Sequence, residues 1–309
     1  MSIRFQLKPE AVTWIGSAFE KKNRLSPLYS LQKAGFQEED KNDLLTQGVI
    51  TNDGALSPKA YEYFSGLAEA NSFAGFRVKG AFGRLDKVAY FKGDRAFWVD
   101  NAGDTFVFSD IEDRGTMLTI LNEISGISHL VNASLDIELD PTASLIFASL
   151  ADLTRQSALL ACAEKDIIPE GFSLEEIIDG CKLGGGRWLG SYLRNMRLPG
   201  AAVHTANAEK ALDAMVEAGY VGKNEKGFCL LREAYAMAVN LLVVEHVFHL
   251  RIGKLAGEEI QSGEAVILQA GLHDNLMIDS DGKKIGFTSI STNAMHEYLL
   301  QMMSQAPKL

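Results

Sequence analysis

The residues that could do chemistry fall into a few short stretches. Gly184-Gly185-Gly186-Arg187 has the glycine density of a phosphate cradle, in which backbone N–H groups close on an anion. A P-loop also needs a strand before it and Gly-Lys-Ser or Gly-Lys-Thr at its end; neither is present, so the run reads as a joint between helices. His246 and His249, beside Glu245, have the i, i+3 spacing that would place two imidazoles on one face of a helix for a metal. The segment answers a strand earlier in the chain, however, and on a strand the two rings point to opposite faces. Asp279-Ser280-Asp281-Gly282 opens like a calcium loop but lacks the later acidic ligands, and reads as a hairpin turn. No Gly-x-Ser-x-Gly or comparable catalytic pattern is present. No catalytic residue, cofactor-binding residue or metal ligand is therefore expected. Cys162, Cys181 and Cys229 form no Cys-x-x-Cys pair and suit a reducing compartment, with Cys229 read as a core thiol between Phe228 and Leu230.

The remaining candidate is a recognition surface. Arg187, Trp188, Tyr192, Arg194 and Arg197 lie close together in a chain whose net charge is -10. A helix over 187–196 would set Trp188 and Tyr192 at i, i+4, an aromatic and basic face suited to an apolar partner helix or an acidic peptide.

The elements that position these residues are organised around Asp86 to Ser109, where three aromatic and β-branched runs are separated by Gly93-Asp94 and Asn101-Ala102-Gly103. This is the pattern of an antiparallel meander. A second meander is expected over Glu264 to Ser289, with strands at Ala265 to Gln269, Asn275 to Ile278 and Lys284 to Thr288. The echo extends outward. Phe5-Gln6-Leu7-Lys8-Pro9 answers Ile137-Glu138-Leu139-Asp140-Pro141 at an offset of 132 residues (137 less 5). Leu44 to Ile50 answers Met215 to Val221 at 171 (219 less 48, glycine to glycine), so the second half carries an insertion of about 39 residues, placed at 163–203. Two repeats follow, 1–134 and 135–309, expected to form one compact pseudo-symmetric unit.

Short elements follow from the same reading. Ser2 to Lys8 alternates as a strand, and Pro9 opens a helix where its missing N–H costs nothing. Two short helices are expected over Ser26 to Leu45, and Ser57 caps a helix that Pro58 begins. Asp140-Pro141 starts a long, nearly apolar helix, while Ser173 and Glu176 form a capping box inside the insertion. The expected fold is α+β: two repeats of strand, helices, meander and helix related by an approximate two-fold axis and sharing one antiparallel sheet, with helical bundles at its flanks.

Composition narrows the function. With 309 residues, 47% of them apolar, the chain can bury a substantial core. Forty acidic against thirty basic residues repel phosphate backbones in the mean, which argues against nucleic acid. The first residues lack a signal-peptide core, and the apolar run Ala236 to Val244 is too short to span a bilayer, so no membrane is expected and the location reads as cytoplasmic.

From Leu44 to Ile124, the order Leu-Leu-x-x-Gly-Val-Ile, turn, Leu-Ser-Pro helix, strand with Phe-x-x-Phe-Arg-Val, Gly-Asp-Arg hairpin, second hairpin and closing helix resembles the repeating unit of EspG-type chaperones of type VII secretion. The resemblance implies a central antiparallel sheet flanked by helical bundles and a cytosolic, non-enzymatic protein that shields a hydrophobic helical tip of a secreted partner. No family residue maps onto the insertion. A winged-helix regulator, suggested by helix, helix, Gly-Val-Ile, turn and helix, and an enzyme of unrecognised class stand as alternatives.

Overall fold

The structure, a computed structural model, describes residues 3–29, 35–80, 83–110, 114–164, 167–182, 185, 188–196 and 203–307. Its first half runs β1 (Arg4–Leu7), α1 (Pro9–Ser17), α2 (Glu38–Thr46), α3 (Pro58–Ala68), β2 (Ser72–Gly80), β3 (Gly83–Lys92), β4 (Arg95–Asn101), β5 (Phe106–Ser109) and α4 (Arg114–Ser125). The second runs β6 (Asp136–Leu139), α5 (Pro141–Glu164), α6 (Leu174–Gly180), α7 (Leu189–Asn195), α8 (Thr205–Glu217), β7 (Val221–Asn224), β8 (Gly227–Leu230) and α9 (Arg232–Asn240). It continues through β9 (His246–Ala256), β10 (Glu259–Gln269), β11 (Asn275–Ser280), β12 (Ile285–Ile290) and α10 (Thr292–Ser304). Ten strands hydrogen-bond in the order β1-β5-β4-β3-β2-β9-β10-β11-β12-β6, and β7-β8 forms a separate hairpin. The fold is α+β with a large antiparallel sheet.

The chain divides into two compact units. Unit 1 holds Met1–Leu121, His249–Gly263 and His296–Leu309. The expected meander is present, with Phe97 opposite Tyr90 and Phe108 opposite Val99. Gly93 (φ 58°) and Gly103 (φ 81°) occupy the left-handed region that tight turns require. Ser57 caps α3 by accepting from the Ala60 N–H at 3.3 Å, and Pro58 is its first residue. One face of α3 lays Tyr63, Phe64 and Leu67, all fully buried, against Phe5, Phe97 and Phe108. The backbone of α3 comes close enough to β4 that a Cβ on Gly66 would strike the Phe97 ring. Two helices were expected over 26–45. The second forms as α2; of the first, residues 24–29 make turns, with Ser26 buried and accepting from the Leu28 N–H, and 30–34 lie outside the described residues.

Unit 2 holds Asn122–Phe248 and Glu264–Met295. Here α5 packs against α6, α7, α8 and α9, and most of its side chains are buried, as an apolar helix requires. Its length and composition would also suit a bilayer span, but 61% of its most apolar window is buried in protein. The sheet of unit 2 pairs Phe287 with Ile137 and Ile278 with Phe287, closing a core on Phe147.

The sequence reading misses the β7–β8 hairpin and shortens one strand. Val221 and Leu230 pair across the hairpin, while β10 begins at Glu259 through an exposed polar stretch that alternation of apolar residues cannot reveal. Helix α9 stops at Asn240, inside the apolar run Ala236 to Val244. Cys229 is half-buried, because strand alternation sends Phe228 and Leu230 into the core and the thiol to the other side.

The Tyr63 hydroxyl lies 3.1 Å from the Trp98 carbonyl and 3.0 Å from the Ser109 carbonyl, sharing its one proton between residues that face each other across β4 and β5. Removing the hydroxyl leaves both carbonyls buried against a ring. Tyr63→Phe should destabilise unit 1 by about 1–3 kcal/mol in denaturant titration.

Candidate functional site

The start of α7 is held to α5 by a buried charge network. Asp152 and Arg155, one turn apart on α5, are each 1% exposed and form an ion pair at 2.8 Å. Asp152 Oδ1 also accepts from the Leu189 N–H at 2.9 Å, and Oδ2 from the Gly190 N–H at 3.0 Å. The carboxylate thus satisfies two amides at the start of α7, a place where a helix has no acceptors of its own and its dipole favours negative charge. Arg155 Nε donates to the Leu241 carbonyl at 2.8 Å, and its guanidinium lies 5.5 Å from the Trp188 ring centre in a cation–π contact. Burial pushes the Asp152 carboxyl up, against the opposing pull of the Gly190 amide, Arg155 and the Leu189 amide.

Helix α6 and the residues just before it are docked by short-range fits. Ser173 and Glu176 form the expected capping box, and the Ser173 hydroxyl and amide hold the Glu176 carboxyl below the usual range. Helix α6 lies so close to α5 that a Cβ on Gly180 would collide with Ser149 Oγ, which donates to the Ile177 carbonyl at 2.6 Å. Phe172 pairs with Phe228 through two main-chain hydrogen bonds of 2.8 Å, adding a bridge to β8. Gly227 (φ 123°) has no room for a side chain there.

Against this frame, the expected recognition residues separate. Trp188 is half-buried and serves as the residue before α7, with extended backbone, so it does not share a helical face with Tyr192. Tyr192 is buried within the apolar core, and burial raises its phenol. Arg194 is exposed, with one guanidinium nitrogen donating to the Cys181 carbonyl at the end of α6. Arg187 and Arg197 lie outside the described residues. Of the expected face, the accessible parts among the described residues are the open side of Trp188 and the exposed Arg194. The pair that organises the segment, Asp152 and Arg155, went unread, although two opposite charges at i, i+3 inside an apolar helix were a visible signal.

The other chemical candidates are placed by secondary structure. His246 and His249 lie on β9 with odd spacing and so face opposite sides. Burial holds the His249 imidazole below its usual value, and Lys79, Arg77 and Arg251 push it further, a cationic setting that opposes a metal ion. Asp281 spends its carboxylate on the Lys283 and Lys284 N–H groups at 2.8 and 2.7 Å, which fixes the hairpin turn. Gly185, the described residue of the glycine run, has φ 119° and packs beside Trp188. Among the described residues, no three His, Cys, Asp or Glu side chains cluster as a metal set would.

This architecture is the EspG-like chaperone fold. In a comparison with solved structures, the chain matches the Mycobacterium tuberculosis type VII secretion system chaperone EspG5, solved in complex with a PE25–PPE41 dimer, with a TM-score of 0.50. The match covers 99% of this chain and 97% of the EspG5 chain at 10% sequence identity. No protein-family model and no curated protein sequence matches the chain.

Asp152→Ala would leave Arg155 buried without its counter-charge and strip two acceptors from α7. A loss of about 3–5 kcal/mol is expected in denaturant titration, with faster hydrogen exchange at the Leu189 and Gly190 amides. A pH effect follows from His249 and His296, whose imidazoles burial depresses. A depressed imidazole contributes stability that is present above the unfolded value of about 6.5 and lost as pH falls through the folded value. The melting temperature should therefore drop below about pH 6.5, and His249→Gln with His296→Gln should flatten that drop.

Proposed function

We propose that this chain is a non-enzymatic, cytoplasmic protein-binding chaperone whose inserted segment recognises a helical partner. The observation that carries the reading is the fold match over nearly the whole chain to a protein described as a secretion chaperone in complex with a protein dimer. Supporting a binding role for the insertion, Trp188 and Arg194 bring an aromatic and a basic side chain to the surface of an acidic protein, and both residue types anchor interfaces. The side chains best suited to that surface are apolar with acidic neighbours, on one face of a helix. Three free cysteines favour a reducing compartment.

The same reading includes an internal duplication with two-fold pseudo-symmetry. Its support is the strand order: β1-β5-β4-β3-β2 is answered by β6-β12-β11-β10-β9, the same succession counted from the opposite edge. The turn around Ile50 and Leu56, which form an isolated bridge, corresponds to the β7–β8 hairpin, and each is followed by a helix, α3 or α9.

Trp188→Ala with Arg194→Glu should lower the melting temperature, since it removes the ring over Arg155 and the tie to Cys181, yet leave a cooperative unfolding transition while abolishing recovery of the partner from the native host. Folding intact with the partner still bound would remove the insertion from the binding surface; DNA retained in a salt-dependent manner would favour the winged-helix reading instead.

A further inference from the structure

Two clefts, each inside one unit, have linings that answer each other at the offsets seen in the sequence. Gln6 and Lys8 line the first where Glu138 and Asp140 line the second, and Asp40 and Gln47 stand where Ala211 and Ala218 do. In the first cleft, of about 370 Å³, the outward edge of β1 is already occupied. The Gln47 carboxamide accepts from the Gln6 N–H and donates to the Gln6 carbonyl, each at 2.7 Å, pairing the outward main chain of β1 as a neighbouring strand would. Lys8 also reaches Asp40 at 3.5 Å.

The second cleft has lost both ties. The Leu135 carbonyl accepts from the Ser289 N–H at 2.8 Å, so by alternation Ile137 and Leu139 turn their main-chain groups to β12 while Asp136 and Glu138 turn theirs away. Strand β6 ends the sheet order, and among the described residues the main-chain N–H and C=O of Glu138 have no hydrogen-bond partner. Ala218 stands where Gln47 would cap them. The backbones match: Gln47 has φ -81°, ψ -3° and Ala218 φ -74°, ψ -10°, each followed by a left-handed glycine, Gly48 at 68° and Gly219 at 79°.

We propose that the edge of β6 is a docking site for an extended segment of a partner protein, which adds as a strand and alternates small apolar with basic residues. Gln47 shows the chemistry the edge demands, an amide that both donates and accepts. The cleft, about 410 Å³, is lined by Thr142, Asn207 and Lys210 as well as by Ala211, Ala214 and Met215, and the latter three suit small apolar side chains on one face of the incoming strand. Its other face would meet the exposed acids Asp136 and Glu138; Lys284 pairs Glu138 at 3.0 Å, but with Asp279 and Asp281 nearby acid remains in excess, which favours basic side chains and opposes pairing with the β6 of a second copy. This site is distinct from the inserted segment and does not rest on the reading of Trp188 and Arg194.

The probe is a capped, fluorescein-labelled Val-Lys-Val-Lys-Val-Lys peptide, titrated into the full chain by anisotropy and by amide chemical shifts. Saturable binding with a shift at the Glu138 amide is expected, lost when alternate peptide amides are N-methylated. Ala218→Gln should slow exchange of the Glu138 amide, leave the melting temperature unchanged and weaken the peptide by roughly tenfold or more, the equivalent of one or two hydrogen bonds. The proposal is overturned if the parent protein fails to bind, if the N-methylated peptide binds equally, or if Ala218→Gln leaves Glu138 exchange or affinity unchanged. A dimer that Ala218→Gln dissolves would make a second copy the occupant and overturn it as well.

Discussion

The contact on which unit 2 depends is a carboxylate that does three jobs from inside a helix. Asp152 neutralises Arg155, accepts the first amides of α7, and by holding Arg155 in place sets the guanidinium against both the Leu241 carbonyl and the Trp188 ring. An isolated buried ion pair is often no better than a pair of apolar side chains, because desolvation consumes the Coulombic gain. Here the donors and acceptors are shared among α5, the start of α7 and the end of α9, so the charges fix where those elements meet. Specificity of docking is what such a network supplies, and an apolar substitute would lack it.

Unit 1 solves its packing differently, with rings rather than charges. Tyr63, Phe64, Phe97 and Phe108 meet edge to face at 5.3 to 6.4 Å, and the single hydroxyl among them ties down two strand carbonyls. Edge-to-face rings tolerate little displacement. The close passage of Gly66 over Phe97 shows how tightly α3 is drawn onto the strands.

Much of this was legible because local chemistry and long-range order agree. The meander, the Ser57-Pro58 helix start, the Ser173–Glu176 box and the break between β11 and β12 each follow from a few residues whose preferences nothing else opposes. The EspG-like order of elements was readable for the same reason. What failed was read from residues that tertiary contacts govern. Trp188 looked helical from its neighbours, but Asp152 starts α7 one residue later; Tyr192 looked like a surface aromatic, but its side of α7 is the one turned to the core. The β7–β8 hairpin escaped because each strand has four residues, and its partner Phe172 lies far away in sequence, before α6. A contact of that kind leaves no periodic trace.

The discontinuity of unit 1 bears on how the protein is made. Strand β2 is synthesised with the first half of the chain, yet the strand that covers its outer side, β9, enters unit 1 only at His249, and a third segment begins at His296. During translation, β2 must therefore wait at the ribosome with an unpaired backbone edge while the whole α-helical body of unit 2 is being produced. Its side chains fit that delay. Ser72, Arg77 and Lys79 interrupt the apolar positions of β2, and Asp86 of the next strand binds Arg77 at 2.7 Å, so the nascent edge carries charges that discourage other chains from pairing with it before β9 arrives.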